Sequence, residues 1–170
     1  MLNILKNQCF VFGRLKRNKM KIRKAKRSDE KRVIELLREY DEYEYKLDKR
    51  HKPDSLKEVK RLFDILMKSK IGVGFVLEVN GDIEGFTSGE YRNTLMGKNC
   101  IFHQLIVSEK YRGKGYGEKL LKELEKYFRK KGCKNIQSFV LIKNKKVLKF
   151  YKRLKYSFNE EGFIIRKGLK

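Results

Sequence analysis

Three glycines at alternate positions, Gly113, Gly115 and Gly117, separate an extended apolar run from a helical one, with Arg112 and Lys114 among them. Glycine lets backbone N–H groups come close to a ligand and accepts positive φ. A helix start adds unsatisfied N–H donors and the positive end of a dipole. With two cationic side chains, this combination predicts an anion cradle suited to a pyrophosphate. Two familiar phosphate loops do not fit. A Walker A loop needs Gly-Lys followed by Ser or Thr, and Lys114 is followed by Gly115. A Rossmann loop reads GxGxxG near the start of a βαβ unit, whereas this GxGxG lies past the middle of the chain. Taken alone, the trio reads as a glycine-rich turn without a ligand.

The surrounding periodicities say what must hold such a loop in place. Residues 73–79 and 83–91 read as strands joined by Asn80-Gly81, a pair that tolerates the positive φ values of a type I′ hairpin turn. A third extended run, 100–107, leads into the loop. Leu120, Leu121, Leu124, Tyr127 and Phe128 then fall on one helical face, and Gly132 ends it. Residues 135–142 read as another strand. Val147, Leu148, Tyr151 and Leu154 mark a last helix, and 157–158 and 163–166 read as short final strands.

Upstream, 20–26 reads as a first strand, and Ser28 or Asp29 can cap the helix striped by Val33, Ile34, Leu37 and Tyr40. The acidic-aromatic stretch 41–45 continues that helix or leaves it. Pro53-Asp54-Ser55 restarts a helix whose apolar stripe is Leu56, Val59, Leu62, Phe63 and Leu66. The order β-α-α-β-β-β-α-β-α-β-β predicts an α/β chain with helices on both faces of a mixed sheet.

The stretch 107–117, VSEKYRGKGYG, followed by Leu120-Leu121, resembles the acetyl-CoA motif of the GNAT (GCN5-related) N-acetyltransferase superfamily, Gln/Arg-x-x-Gly-x-Gly/Ala. Arg112, Gly115 and Gly117 fill its fixed positions. Asn144 and then Phe150-Tyr151 after a strand resemble the family's second half. Tyr156-Ser157-Phe158 departs from the Gly-Phe usual there.

Over roughly residues 20–167, the resemblance implies a central mixed, mostly antiparallel sheet, flanked by helices and splayed at the acetyl-CoA site. It implies an N-acetyltransferase that moves the acetyl group of acetyl-CoA to a primary amine by direct attack. The backbone of Leu105, Ile106 and Val107 would bind the pantetheine arm. The N–H groups of Arg112, Gly113, Lys114, Gly115, Tyr116 and Gly117 would hold the pyrophosphate, and Asn144 would touch the cofactor. Tyr151 would protonate the leaving thiolate; otherwise it is an ordinary core aromatic. His103 lies at a position that in this family often carries Glu and sometimes His, and its unperturbed pKa near 6.5 suits a general base. A satisfied core histidine is the alternative. Gln104 cannot titrate but could orient a water or the acceptor, and if neither serves a water chain would carry the proton; a backbone N–H near Ile106 or Val107 would stabilise the oxyanion.

The bulk properties bound the rest. At 170 residues the chain is long enough for one domain with its own core, and we read residues 1–19 as a loose extension and 20–170 as the domain. The net charge is +23, concentrated outside residues 29–64, where eleven acids lie. Such a field attracts anions, including RNA or a particle such as the ribosome. The acids Asp41, Glu42, Glu44 and Asp48 fall where the family shapes its acceptor site, so a cationic small-molecule amine is an expectation beside a protein amine.

Cys9, Cys100 and Cys133 lie far apart and lack a CxxC, which argues for reduced thiols in a reducing, cytoplasmic compartment. Cys100 and Cys133 also lie outside the motif positions, so a thiol nucleophile is not expected. With only two histidines, no metal is expected, and His51 reads as an exposed loop residue. No apolar run is long enough for a membrane span. The oligomeric state stays open, a homodimer being one option. Two alternatives remain: a basic nucleic-acid-binding or ribosome-binding module, and a GNAT domain that binds CoA without catalysis.

Overall fold

The computed structural model describes residues 19–94 and 97–158. The expected extension, residues 1–19, lies almost wholly outside the described residues, and so does the expected strand at 163–166. Among the described residues, five strands form one sheet in the order β1-β2-β3-β4-β5. They are β1 (Met20–Lys24), β2 (Gly72–Val79), β3 (Asp82–Thr94), β4 (Gly97–Val107) and β5 (Asn135–Gln137). The first three pairings are antiparallel, and β4 with β5 is parallel. Among the described residues, four α-helices flank the sheet: α1 (Glu30–Leu47), α2 (Leu56–Lys68), α3 (Tyr116–Lys130) and α4 (Lys145–Arg153). The mixed α/β architecture is the expected one.

Strand alternation sorts the core into two layers. Val73, Phe75, Leu77 and Val79 of β2 point to α3, where they meet Leu120, Leu121, Leu124 and Phe128. Val76, Phe86 and Ile106 point to the other face and pack with Val33, Ile34, Leu36 and Leu37 of α1 and with Val59 and Phe63 of α2. The stretch 41–45 does continue α1, which runs to Leu47. Asn80 and Gly81 both take positive φ, 56° and 99°, as the hairpin requires.

Four expectations need correction. Asp29 does not cap α1 with its side chain; its carboxylate accepts from both terminal nitrogens of Arg23 and from the Lys26 N–H instead. The strand expected over 135–142 stops at Gln137, where the Ser138 hydroxyl donates to the Phe102 carbonyl and the chain turns away from the sheet. Residues 157–158 belong to no strand. Cys100 and Cys133 are joined as a disulfide with Cα atoms 6.3 Å apart, a separation that sequence distance did not reveal.

Two β-bulges break the sheet's register. In β3, Gly85 pairs with Leu77 and Ile83 with Glu78, leaving Glu84 as the extra residue. In β4, Gln104 pairs with Ser88 and Phe102 with Gly89, leaving His103 as the extra residue. A bulge shifts side-chain parity, so neighbours that would alternate can share a face. Gly89 makes the second bulge sterically possible: a Cβ there would lie 2.7 Å from the Ile101 carbonyl oxygen. Gly89→Ala is therefore expected to destabilise the fold by about 2 kcal/mol. Urea unfolding checks this, and an unchanged midpoint would contradict it.

Candidate active site

The site is built where β4 and β5 part. Their pairing covers only Asn99–Asn135, Cys100–Ile136 and Ile101–Gln137. Beyond Ile101, β4 continues along β3 to Val107, but no described strand accompanies its other edge. That edge carries the backbone of Leu105, Ile106 and Val107, and it opens toward the glycine loop.

The loop begins with a single 3-10 turn, Glu109–Tyr111, and enters α3 at Tyr116. Gly113 and Gly115 have φ of 74° and 77°, a region that disfavours any side chain, and no atom lies within 4 Å of where a Cβ would stand. The loop therefore has open space around its glycines. The first backbone bond returning into α3 runs from the Lys119 N–H to the Gly115 carbonyl. The N–H groups of Tyr116, Gly117 and Glu118 precede it and form the donor-rich helix start. Arg112 and Lys114 are exposed, and each also braces the loop: Arg112 Nε donates to the Val107 carbonyl (2.9 Å), and Lys114 Nζ donates to the Lys110 carbonyl (2.9 Å). Positive φ, open space, cationic side chains and a helix start together fit a diphosphate.

Helix α4 closes the other side of the gap. A Cβ on Gly117 would sit 3.8 Å from Val107 and 3.9 Å from the Phe150 ring, so α3, β4 and α4 meet at the loop. Tyr151 follows Phe150 and is buried, its ring 5.8 Å from Phe102 of β4 and 5.3 Å from Tyr156. Burial alone pushes its phenol well above the ordinary tyrosine range, so it keeps its proton at neutral pH. Asn144 is buried at the α4 start, where its oxygen accepts from the Val147 N–H at 3.3 Å. The Tyr43 hydroxyl also donates to that oxygen, at 3.5 Å. What Asn144 has left to offer a ligand is its amide NH2.

On the α1 and α2 face lies a cavity of about 400 Å³. The bulge puts both His103 and Gln104 on its wall, beside Ser88 and the paired Glu90 and Arg92. Gln104 is fixed there because its oxygen accepts from the buried Ser88 hydroxyl. His103 is exposed to the cavity; desolvation by the cavity wall, opposed by Glu90 and helped by Arg92, holds its imidazole below its ordinary 6.5. It is thus neutral near pH 7 and faces the cavity rather than the core.

Among the acids expected to shape an acceptor site, the structure separates two groups. Asp48 is spent on ion pairs with Arg50 at 2.6 Å and Lys143 at 3.4 Å. Asp41 lines the large cavity with Asp54, and both also line a second cavity of about 210 Å³ with Glu44 and His51. His51 is therefore half-buried rather than a free loop residue. Burial, then the negative charges of Asp54 and Glu44, raise the Asp41 carboxyl to about 6.

Two residues escaped the sequence reading. Tyr43 lies under the Arg112 guanidinium at 5.7 Å and so spans from the glycine loop to Asn144. Its position in α1 was legible, but its reach across the gap was not. Glu84 accepts from Ser108 and Lys110 at the end of β4, behind the loop. Only a bulge could reveal it, and bulges carry little sequence signal.

Comparison with known proteins agrees with this geometry. The family model described as Acetyltransferase (GNAT) family matches residues 31–156. An N-acetyltransferase of Methanocaldococcus jannaschii is 30% identical over 146 residues, covering 82% of this chain and 61% of that protein, so the match spans less than two thirds of that relative. The thialysine N-epsilon-acetyltransferase of Bos taurus is 29% identical over 147 residues, covering 78% and 81%. Among solved structures, an aminoglycoside N-acetyltransferase in complex with CoA superposes with a TM-score of 0.74 at 16% identity, covering 90% of this chain and 97% of that one. A possible acetyltransferase from Clostridium difficile 630 gives 0.75 at 15% identity, covering 89% and 99%. The two structures share the fold, and on the family match across 31–156 this chain belongs to the GNAT acetyltransferase family.

Proposed function

We propose that the protein is an acetyl-CoA-dependent N-acetyltransferase acting on a cationic primary amine. One observation carries this reading: the β4 edge that no described strand accompanies runs from the glycine loop to a cavity that holds a neutral histidine, with a buried tyrosine on the far side of the gap. Acetyl-CoA supplies a thioester-activated acetyl group. The N–H groups of residues 113–117, with the Arg112 and Lys114 side chains, hold its diphosphate; the Arg112 N–H expected among them is already given to the Glu109 carbonyl. The backbone of Leu105, Ile106 and Val107 binds the pantetheine arm as an added strand would. The Asn144 amide NH2 reaches it from the α4 side.

The amine enters the cavity as an ammonium ion and must lose a proton before attack. His103 takes that proton, and Gln104, held by Ser88, orients the nitrogen. A backbone N–H near Ile106 or Val107 donates to the carbonyl oxygen as charge builds on it. The C–N bond forms, the C–S bond breaks, and Tyr151 gives its proton to the departing sulfur.

The acceptor's positive charge is favoured by Asp41 and Asp54 on the cavity wall, whereas Asp48 is held in ion pairs with Arg50 and Lys143. The similar proteins named for aminoglycoside and thialysine acetylation also act on amines, which supports a cationic acceptor.

Three outcomes are expected. In an amine panel assayed by CoA release, Tyr151→Phe lowers kcat by about a hundredfold while CoA affinity stays within about twofold; equal turnover would remove the acid role, and binding of CoA without turnover on any amine would make the chain a catalytically silent member. The kcat/KM profile has an acid limb with its midpoint below 6.5, because activity falls as His103 gains a proton. His103→Gln abolishes that limb along with most of the rate, and a limb that persists unchanged would assign the base elsewhere.

The third concerns Asp41, whose folded pKa lies above its unfolded value of 3.8. Ionisation of this group therefore costs stability as the pH rises from about 4 to 6, and the full cost is present above 6. Asp41→Asn raises Tm by about 2 °C at pH 7.5, loses this advantage near pH 4, and raises the KM for the amine. A Tm difference that does not change with pH would contradict the assignment.

A further inference from the structure

Glu84 is the extra residue of the β3 bulge and is 2% exposed. A buried carboxylate is costly unless it is paired, and this one is paired wholly toward the root of the glycine loop and toward α1. Its side chain accepts from the Ser108 hydroxyl at 2.7 Å and from Lys110 Nζ at 2.5 Å, while its backbone carbonyl accepts from the Ser108 N–H at 2.8 Å. Arg32 of α1 lies 3.6 Å away and donates through Nε to the Ile83 carbonyl. Burial by itself would raise the carboxyl; the bonds from Lys110 and Ser108 outweigh it and hold Glu84 below the ordinary carboxylate range.

The chain of bonds continues outward. The Tyr111 N–H donates to the Ser108 carbonyl, and the Arg112 N–H donates to the Glu109 carbonyl. Arg112 Nε then reaches back to Val107. Ser108 and the turn after it thus have their anchor in β3, and the loop's donors are aimed from that anchor. We propose that Glu84 is a positioning residue for the nucleotide end of CoA: it fixes the direction in which residues 113–117 present their N–H groups, without touching the ligand. This rests on the acetyl-CoA reading above. It differs in kind from support of the core, because the partners of Glu84 are polar groups of the loop root rather than apolar neighbours.

The test uses the full-length protein with CoA as the probe. Glu84→Gln keeps the size of the side chain but leaves Lys110 without its charge partner, and Ser108→Ala removes the hydroxyl arm alone. Isothermal titration with CoA is expected to show Kd rising about tenfold in Glu84→Gln and less in Ser108→Ala, since a small misplacement of binding groups is amplified. The KM for acetyl-CoA rises in parallel, while kcat at saturation and the KM for the amine stay within about twofold. The double variant loses less than the product of the two single effects, because both act through one network. A CoA affinity within twofold of wild type in both variants overturns the assignment, as does a fall in kcat with CoA affinity unchanged. If Glu84→Gln fails to fold, the CoA affinity of Ser108→Ala decides. A wild-type chain that binds no CoA overturns the acetyl-CoA reading and this assignment together, whereas wild-type binding with unaffected variants overturns this one alone.

Discussion

Strand β4 has a full partner on one side and a short one on the other. It pairs with β3 from Gly97 to Val107 but with β5 only from Asn99 to Ile101. Every backbone N–H and C=O needs a partner or water, so an edge left unpaired inside a sheet is a place for a ligand backbone to bind. The divergence is enforced from the β5 side. The Ser138 hydroxyl takes the Phe102 carbonyl, and the chain then turns to build the α4 start at Asn144. The glycine loop, the α3 start and Tyr151 are all disposed around that opening. Their chemistry depends on the strands failing to run on together.

The two bulges have a common logic. Each inserts one residue into a strand, and in each the inserted residue is ionisable: Glu84 in β3 and His103 in β4. Strict alternation would force one of each neighbouring pair to the α3 face, which is packed with Leu120, Leu121 and Leu124. The parity shift instead brings His103 and Gln104 together on the cavity wall, and Ile83 and Glu84 together toward α1. Bulges thus let an apolar sheet carry polar groups without putting them into its core.

Most of the fold was legible in the sequence because periodicity and turn chemistry report local geometry. Asn80-Gly81, the α3 stripe and the end of α3 at Gly132 follow from such local rules. The glycine loop was legible too, since its φ values require glycine. What escaped depends on long-range contacts. The length of β5 is set by Ser138 meeting Phe102, 36 positions away, and the Cys100–Cys133 bond by two elements packing together. The ion pairing of Asp48 was invisible for the same reason. Asp48 and Asp41 lie seven residues apart on one acidic stretch, yet Arg50 and Lys143 neutralise the first and not the second. The roles of Glu84 and Tyr43 were hidden likewise, because each acts on a segment distant in sequence.

The disulfide has a topological effect. With a sequence separation of 33, it closes a covalent macrocycle from β4 to the turn after α3. That ring contains His103, the open edge of β4, the whole glycine loop and all of α3. Cross-linking shrinks the conformational freedom of the unfolded ring far more than that of the chain outside it. The groups that would grip the donor and deprotonate the acceptor therefore lie on a tethered lasso, whereas α1, α2 and the first hairpin can loosen without lengthening the path between them.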